Sequence, residues 1–475
     1  MSLYKFIMYV ISAVVSAAAL YCAFDAIRFG WVFAILSFVV LFNAIGKTRK
    51  ASERGLCAFL FLIVFIALQY SFLLHVSIVH ERFAFLLIFV VLTVYLIPMI
   101  CWVFLSFSYS AESFACTFLI SEYVFAKSGI GNQMFQLGVT FVDCKLFDEI
   151  YALGGPWWLS AIVMLLAYLL YKLLHDFRLD EIVPLVVIIA FALVFKIDSS
   201  KSEKTKSIDV CAFSVANVSY IDSLLLELNS AFIKADYVIL PEAMVSMHKH
   251  GVATDPFMTK LYRMSESLQS SFVSGAYTYC NGTERNNAVF VSDSAIVFCR
   301  NKKILIPFAE YVPYSKFVGN NDFIMSHLPP PLTRGIGVDC FDDGTASFAP
   351  LICFEALFSN YITHLCRNGA EVFFVSSSNL LIDSRHIERI SQKIILMNSL
   401  MARRGFVRSS ENGISSIISD DGIVEAEASG VKEIISSNVY LNDELTFYVA
   451  HDVIIDYMYY LLILLMLFLI AWKGR

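Results

Sequence analysis

Pro350-Leu351-Ile352-Cys353-Phe354-Glu355-Ala356-Leu357-Phe358 reads as a short buried strand running into a turn that opens a helix. A thiol at such a junction is held rigidly by the sheet. The unpaired N–H groups of the next turn are available to receive an oxyanion. Thiols are the most nucleophilic side chains near neutral pH, yet they need a base or a positive field to act as thiolates. By itself the segment also fits a small buried hydrophobe. The residues that favour chemistry lie upstream, at Glu242 and Lys302.

The 475 residues are 58% hydrophobic and only 16% charged, where a soluble chain of this size carries about 25%. This is the composition of a membrane protein. A formal net charge of −6 without basic clusters argues against nucleic-acid binding. The eleven cysteines show no CxxC spacing, so neither a zinc site nor a disulfide framework is signalled. His248, His250 and His386 lack metal-ligand spacing and are expected at the surface.

Composition divides the chain into three parts. Residues 1–196 are expected to form a transmembrane bundle of about seven helices, near 4–24, 30–46, 56–78, 83–106, 112–127, 156–174 and 182–196. Residues 197–452 look globular, and 453–475 hold a C-terminal transmembrane helix with a cytoplasmic tail. The first run lacks a small-residue cleavage site and reads as a retained helix. Glu122 interrupts the fifth span and is expected at the interface or paired inside the bundle. With the N-terminus cytoplasmic, the basic loops at 47–54 and 172–181 and the tail all fall inside. Residues 197–452 then face outward.

Within 197–452, strand-like and helical patterns alternate, as in an α/β layered domain. Three segments share one grammar, a buried strand ending in a reactive polar residue. Val238-Ile239-Leu240-Pro241-Glu242 supplies a carboxylate at a strand's C-terminal edge, where α/β proteins gather their chemistry. Arg300-Asn301-Lys302-Lys303 supplies a cation, with Glu310 a few places on. The Cys353 turn is the third.

At these residues the chain resembles the carbon–nitrogen hydrolase (nitrilase) superfamily, and within it the apolipoprotein N-acyltransferase family of membrane-bound enzymes. The element Lys-x-x-Leu-Val-Pro-Phe-Gly-Glu-Tyr-Val-Pro stands here as Lys302-Lys303-Ile304-Leu305-Ile306-Pro307-Phe308-Ala309-Glu310-Tyr311-Val312-Pro313. Ile-Cys-(Tyr/Phe)-Glu stands as Ile352-Cys353-Phe354-Glu355, and Pro-Glu as Pro241-Glu242. An Arg…Asn-x-Gly-Ile-Ser tail is partly retained from Arg408 to Ser415. The chain is a diverged member. Gln-Gly-Asn-Ile has become Val215-Ala216-Asn217-Val218, and Ser-Asn-Asp-x-Trp-Phe has become Ser378-Asn379-Leu380-Leu381-Ile382, without the aspartate and aromatics.

The resemblance implies a multi-helix membrane bundle plus an α/β nitrilase-like αββα sandwich, acting without cofactor or metal. It implies a catalytic trio in which Cys353 is the nucleophile, Glu242 the general acid–base and Lys302 the cation that favours thiolate. Lys302 and the Phe354 N–H would hold the oxyanion, Glu310 and Glu355 would orient Lys302 and the attacking group, and Lys303 would be a solvated neighbour. The implied activity moves an acyl group from a phospholipid, through a Cys thioester, to the N-terminal amine of a diacylglyceryl lipoprotein. The setting would be a bacterial inner membrane, with the catalytic domain periplasmic and the protein a monomer. Residues 311–335 could form a lid. Two alternatives stay open: a membrane-anchored amidase, and a non-enzymatic membrane component of a conjugal-transfer system.

Overall fold

The computed structural model describes every residue except 1–2, 27, 49, 75, 77–80, 107–109, 129, 177–181, 199–205, 231–233, 248–254, 281–282, 314–330, 431 and 474–475. Most of the expected lid, the turn at 177–181, and His248 and His250 therefore lie outside the described residues. The chain forms two compact units. One comprises Met1–His75, Val79–Lys201 and His451–Arg475; the other comprises Val76–Ile78 and Ser202–Ala450.

In the first unit each of the seven apolar stretches is helical: α1 (Leu3–Asp25), α2 (Gly30–Gly46), α3 (Ala51–Gln69), α4 (Glu81–Ser106), α5 (Ala111–Lys127), α6 (Asp148–Asp176) and α7 (Ile182–Asp198). A C-terminal helix, Phe447–Lys473, is interrupted at His451, so its second segment begins beside the expected 453. Among the described residues, four helical stretches are long and apolar enough to cross a membrane: Tyr4–Asp25, Ala51–Gln69, Asp148–His175 and Phe447–Trp472. Helix α6 is two helical segments joined across a break at Gly155, and the second starts at the expected 156 for a local reason. Gly155 takes φ 73°, open to glycine at little cost, and Pro156 then starts a fresh helical segment with φ already set. Small residues let α1 and α2 approach closely. Ser16 Oγ donates to the Ser37 carbonyl at 2.7 Å, and Ser37 Oγ donates to that of Ser16 at 2.8 Å. Glu122 is buried and accepts from Leu137 N–H at 2.6 Å, so it is paired inside the bundle.

The second unit is built from β1 (Ser207–Val215), α8 (Ile221–Ser230), β2 (Tyr237–Ile239), β3 (Val245–Met247), α9 (Pro256–Leu268), β4 (Ser271–Cys280), β5 (Thr283–Ser292) and β6 (Ala295–Asn301). It continues with β7 (Phe341–Asp342), β8 (Ser347–Ile352), α10 (Ser359–Arg367), β9 (Val372–Ser378), α11 (Arg385–Ala402), β10 (Gly405–Glu411), β11 (Ile414–Ile418), β12 (Val424–Ser429) and β13 (Glu433–Tyr440). The strand path β6-β5-β4-β2-β1-β10-β9-β8-β7 forks in the middle. β1 pairs with β10 only at Ser214–Ser410 and Val215–Glu411, while its residues 207–214 pair antiparallel with β13. The two halves diverge from that joint and face each other.

Both faces of β1 are covered from Val210 onward, and period-two alternation divides its apolar residues between two cores. Ile208, Val210 and Ala212 enter the core between the two sheet halves. Cys211, Phe213 and Val215 enter the core under α8 and α9, with Leu224, Leu228 and Leu261. Rings from opposite halves meet inside: Phe290 on β5 lies 4.7 Å from Phe348 on β8, and Tyr237 on β2 lies 5.0 Å from Phe374 on β9. This is the nitrilase-like αββα sandwich.

Candidate active site

β8 lies parallel beside β9 and ends at Cys353, while β2, between β1 and β4 in the other half of the sheet, leads into Glu242. Glu242 is pinned through its backbone, its N–H donating to the Ser377 carbonyl at 3.2 Å. Gly275 on β4 makes this position possible. A Cβ there would stand 2.7 Å from the Glu242 Cα and 2.9 Å from the Ala243 nitrogen, closer than real carbons pack. The last residues of β6 bring in Lys302, whose N–H donates to the Asn286 carbonyl at 2.8 Å.

These backbones place three charged side chains together. Lys302 Nζ donates to Glu310 Oε1 at 2.8 Å and lies 3.5 Å from Glu242 Oε1. Asn286 Nδ2 donates to Glu242 Oε1 at 2.7 Å and reaches Glu310 Oε1 at 3.4 Å. All four residues are buried. Glu310 is itself fixed, its Oε2 accepting from Ile306 N–H at 2.8 Å. Cys353 closes the group, near enough for the charges of Glu242 and Lys302 to act on its thiol, with its Sγ 3.8 Å from the Ser378 carbonyl.

The cysteine backbone is unusual for a residue with a Cβ. Its φ is 44°, in the left-handed region, which costs of order 1–3 kcal/mol and persists only where the surroundings impose it. Here the turn is imposed from behind, where Asn398 on α11 donates to the Ala356 carbonyl at 2.9 Å and accepts from Ser359 Oγ at 2.8 Å. A rigid elbow therefore presents the sulfur at the start of the helical turn Cys353–Leu357.

Electrostatics give each group a protonation state. Cys353 keeps partial exposure as a residue, an approach for substrate. Its apolar surroundings push the thiol up to about 12, and the Glu242 carboxylate adds to this, against the opposing pull of Lys302 and Arg408. Burial raises Glu242 above the usual carboxylate range. Lys302, Asn286 and the thiol oppose that rise and Glu310 reinforces it. Burial alone would lower Lys302, but Glu242 and Glu310 outweigh it and hold the ammonium well above its ordinary value. The resting group is a thiol, a carboxylate tuned towards neutrality and a permanent cation. Such a set can move a proton from sulfur to carboxylate as a bond to carbon forms.

Glu355 is placed differently from expectation. Its carboxylate takes Arg300 and the N–H groups of Lys303 at 2.7 Å and Ile352 at 2.9 Å, so it meets the backbone next to Lys302 rather than the ammonium itself. The reason is position: Arg300 on β6 sets its guanidinium against Glu355, while Lys302, just past the end of β6, turns to Glu242 and Glu310. Lys303 is partly exposed rather than simply solvated, pairing with Asp339 at 2.6 Å. His386 is buried on α11, because that helix is covered on nearly all sides. Arg408 serves packing, donating to Ser377 Oγ at 3.1 Å and pairing with Glu388 at 2.8 Å. Asn412 occupies a turn at φ 51°. Asn286 and Arg300 escaped sequence reasoning, although both occupy inward positions on strands beside residues that were singled out. Cys211, Cys299, Cys340, Cys353 and Cys366 are free thiols. Among the described residues no three His, Cys, Asp or Glu side chains gather as a metal ion requires.

A carbon–nitrogen hydrolase family model matches residues 215–443, the span that holds every residue of this site. An apolipoprotein N-acyltransferase from Haemophilus ducreyi is 22% identical over 358 residues, covering 67% of this chain and 68% of that protein. A protein of the same name from Geobacter metallireducens is 24% identical over 196 residues, 40% of this chain and 36% of its own. Among solved structures, Saccharomyces cerevisiae Nit3, a nitrilase-superfamily member, aligns with a TM-score of 0.38 at 14% identity, over 51% of this chain and 93% of that one. The chain is an enzyme of the carbon–nitrogen hydrolase superfamily and belongs, as a diverged member, to the family of the apolipoprotein N-acyltransferases.

Proposed function

We propose that this protein transfers a fatty acyl group from a phospholipid to the N-terminal amine of a lipoprotein, through a thioester on Cys353. One observation carries the reading. Glu242, Lys302 and Cys353, from three distant segments, converge in a single buried group within a chain that also has helices able to cross a membrane. A bilayer is where both substrates reside, which gives a hydrolase-like domain a reason to be anchored there. The catalytic domain faces the outer leaflet in this scheme.

In the first step the Cys353 thiol gives its proton to Glu242 while sulfur attacks the ester carbonyl carbon. Negative charge develops on the carbonyl oxygen. Lys302 and the Phe354 N–H stabilise it, the latter belonging to the unpaired start of the turn. Collapse breaks the carbon–oxygen bond, and Glu242 returns the proton to the departing lysophospholipid alkoxide. In the second step the lipoprotein amine attacks the thioester and loses a proton to Glu242. The sulfur leaves, takes that proton back, and an amide remains. Glu310 and Asn286 keep Lys302 and Glu242 aimed throughout. No external oxidant, metal or cofactor enters the balance.

The test is mass spectrometry of the protein purified from membranes and incubated with phospholipid. A hydroxylamine-labile fatty acyl group on the Cys353 peptide, lost on adding a diacylglyceryl-cysteine peptide that becomes N-acylated, is the expected result. Undiminished acyl-enzyme in Cys353→Ser would remove Cys353 as nucleophile. Rapid hydrolysis of small amides without acyl labelling would replace the transferase with an amidase.

A further inference from the structure

A second buried charged group borders the first, and the acyl-transfer scheme leaves it without a role. Its centre is Arg300, 5% exposed. The guanidinium forks onto Glu355, which is fully buried. Its Nε also donates to the Pro350 carbonyl at 2.6 Å, and its Nη1 reaches the Asn301 carbonyl at 3.3 Å and Tyr361 Oη at 3.2 Å. Asp339 completes the set, 3.6 Å from Arg300 and accepting from Tyr361 Oη at 3.0 Å.

The arrangement of these bonds along the chain is informative. Glu355 accepts from the N–H of Ile352, immediately before the cysteine, and from the N–H of Lys303, immediately after the lysine. Arg300 holds Pro350 on the cysteine strand and Asn301 on the lysine strand. One ion pair thus clasps the backbone on both sides of Lys302 and the end of the strand that leads into Cys353, while touching neither reactive atom.

We propose that Arg300, through Glu355, is a positioning residue that sets the distance and angle of the Lys302 ammonium relative to the Cys353 sulfur. The inference rests on the assignment of Lys302 and Cys353 made above. A buried pair of this kind adds little net stability once desolvation is counted, so its retention calls for a geometric reason. Arginine suits the task because its planar fork binds a carboxylate in one orientation, which lysine cannot do.

The experiment follows Cys353 alkylation by iodoacetamide against pH, by peptide mass spectrometry, in the detergent-solubilised full chain. Lys302→Met, Arg300→Met, Arg300→Lys and Arg300→Met/Lys302→Met are compared with the native protein, and Tm is measured for each. Arg300→Met is expected to slow alkylation at neutral pH roughly 10- to 100-fold and move the profile to higher pH. Arg300→Lys is expected to recover only part of this. In the Lys302→Met background the arginine change is expected to add less than about twofold, because the ammonium it aims is already gone. Equal slowing in both backgrounds, or a native profile in a folded Arg300→Met, overturns the proposal. Should Arg300→Met not fold, Arg300→Lys carries the same comparison, and a native profile there overturns it equally. If Lys302→Met itself leaves the profile native, the ammonium does not act on the sulfur, and the site assignment falls together with this inference.

Discussion

Two neighbouring groups in this domain bury charge at strand ends, and they resolve it in opposite ways. Around Arg300 the charges saturate one another: Glu355 spends its oxygens on a guanidinium and on backbone N–H groups, and Asp339 is met by Lys303 and Tyr361. Around Cys353 the balance is left incomplete. Two carboxylates face one ammonium, Glu242 is raised above its ordinary range, and the thiol is protonated. The first pattern suits a framework, and the second suits a proton that must move.

That contrast can be broken or sharpened by experiment. The largest effect belongs to the nucleophile: Cys353→Ala should abolish acyl-enzyme and lower kcat by roughly 10³-fold or more, read by acyl transfer to a lipopeptide. Glu242→Gln follows, with a loss of about 10²–10⁴-fold in kcat/KM. Native enzyme should reveal the same group through pH. The base must be ionised, and its folded pKa is raised, so kcat/KM falls as pH drops through a limb above the ordinary carboxylate range. Asn286 favours the ionised form, so Asn286→Ala should shift that limb to still higher pH. Gly275→Ala should act on stability as well as rate. Its Cβ would intrude on the Glu242 backbone, costing about 1–3 kcal/mol in denaturant unfolding and displacing the base. The smallest effect is expected of Lys303→Met, whose ammonium is partly exposed. A change under about fivefold in kcat/KM corresponds to the roughly 1 kcal/mol such a pair contributes.

How much of this was readable in the sequence depends on how local the signal is. Each strand-end motif is contiguous, so Pro241-Glu242, Lys302 to Glu310 and Ile352-Cys353 announce themselves within a few residues. Helix positions in the first unit were equally legible, because about 20 apolar residues is itself the message. Pairings across the sheet were not. The resemblance made Glu355 an orienting residue for Lys302 and the attacking group, yet its carboxylate is taken by Arg300, and nothing contiguous marks that choice. Asn286 faces Glu242 from another strand and has an equally polar neighbour, Asn287, which turns to Thr278. Helix ends also eluded the pattern. A helical segment from Asp148 precedes the expected apolar span, and the break between them is made by Gly155 at positive φ, a conformation that hydrophobicity does not record.

The left-handed turn at Cys353 has a consequence for biosynthesis. In an unfolded chain that residue relaxes to an ordinary backbone conformation, far from the acid and the ammonium that arrive with other strands. The emerging polypeptide therefore carries only a common, sluggish thiol while it passes through a lipid-rich setting. Any reactivity beyond that of an ordinary thiol has to wait until the sheet closes and brings the three groups together.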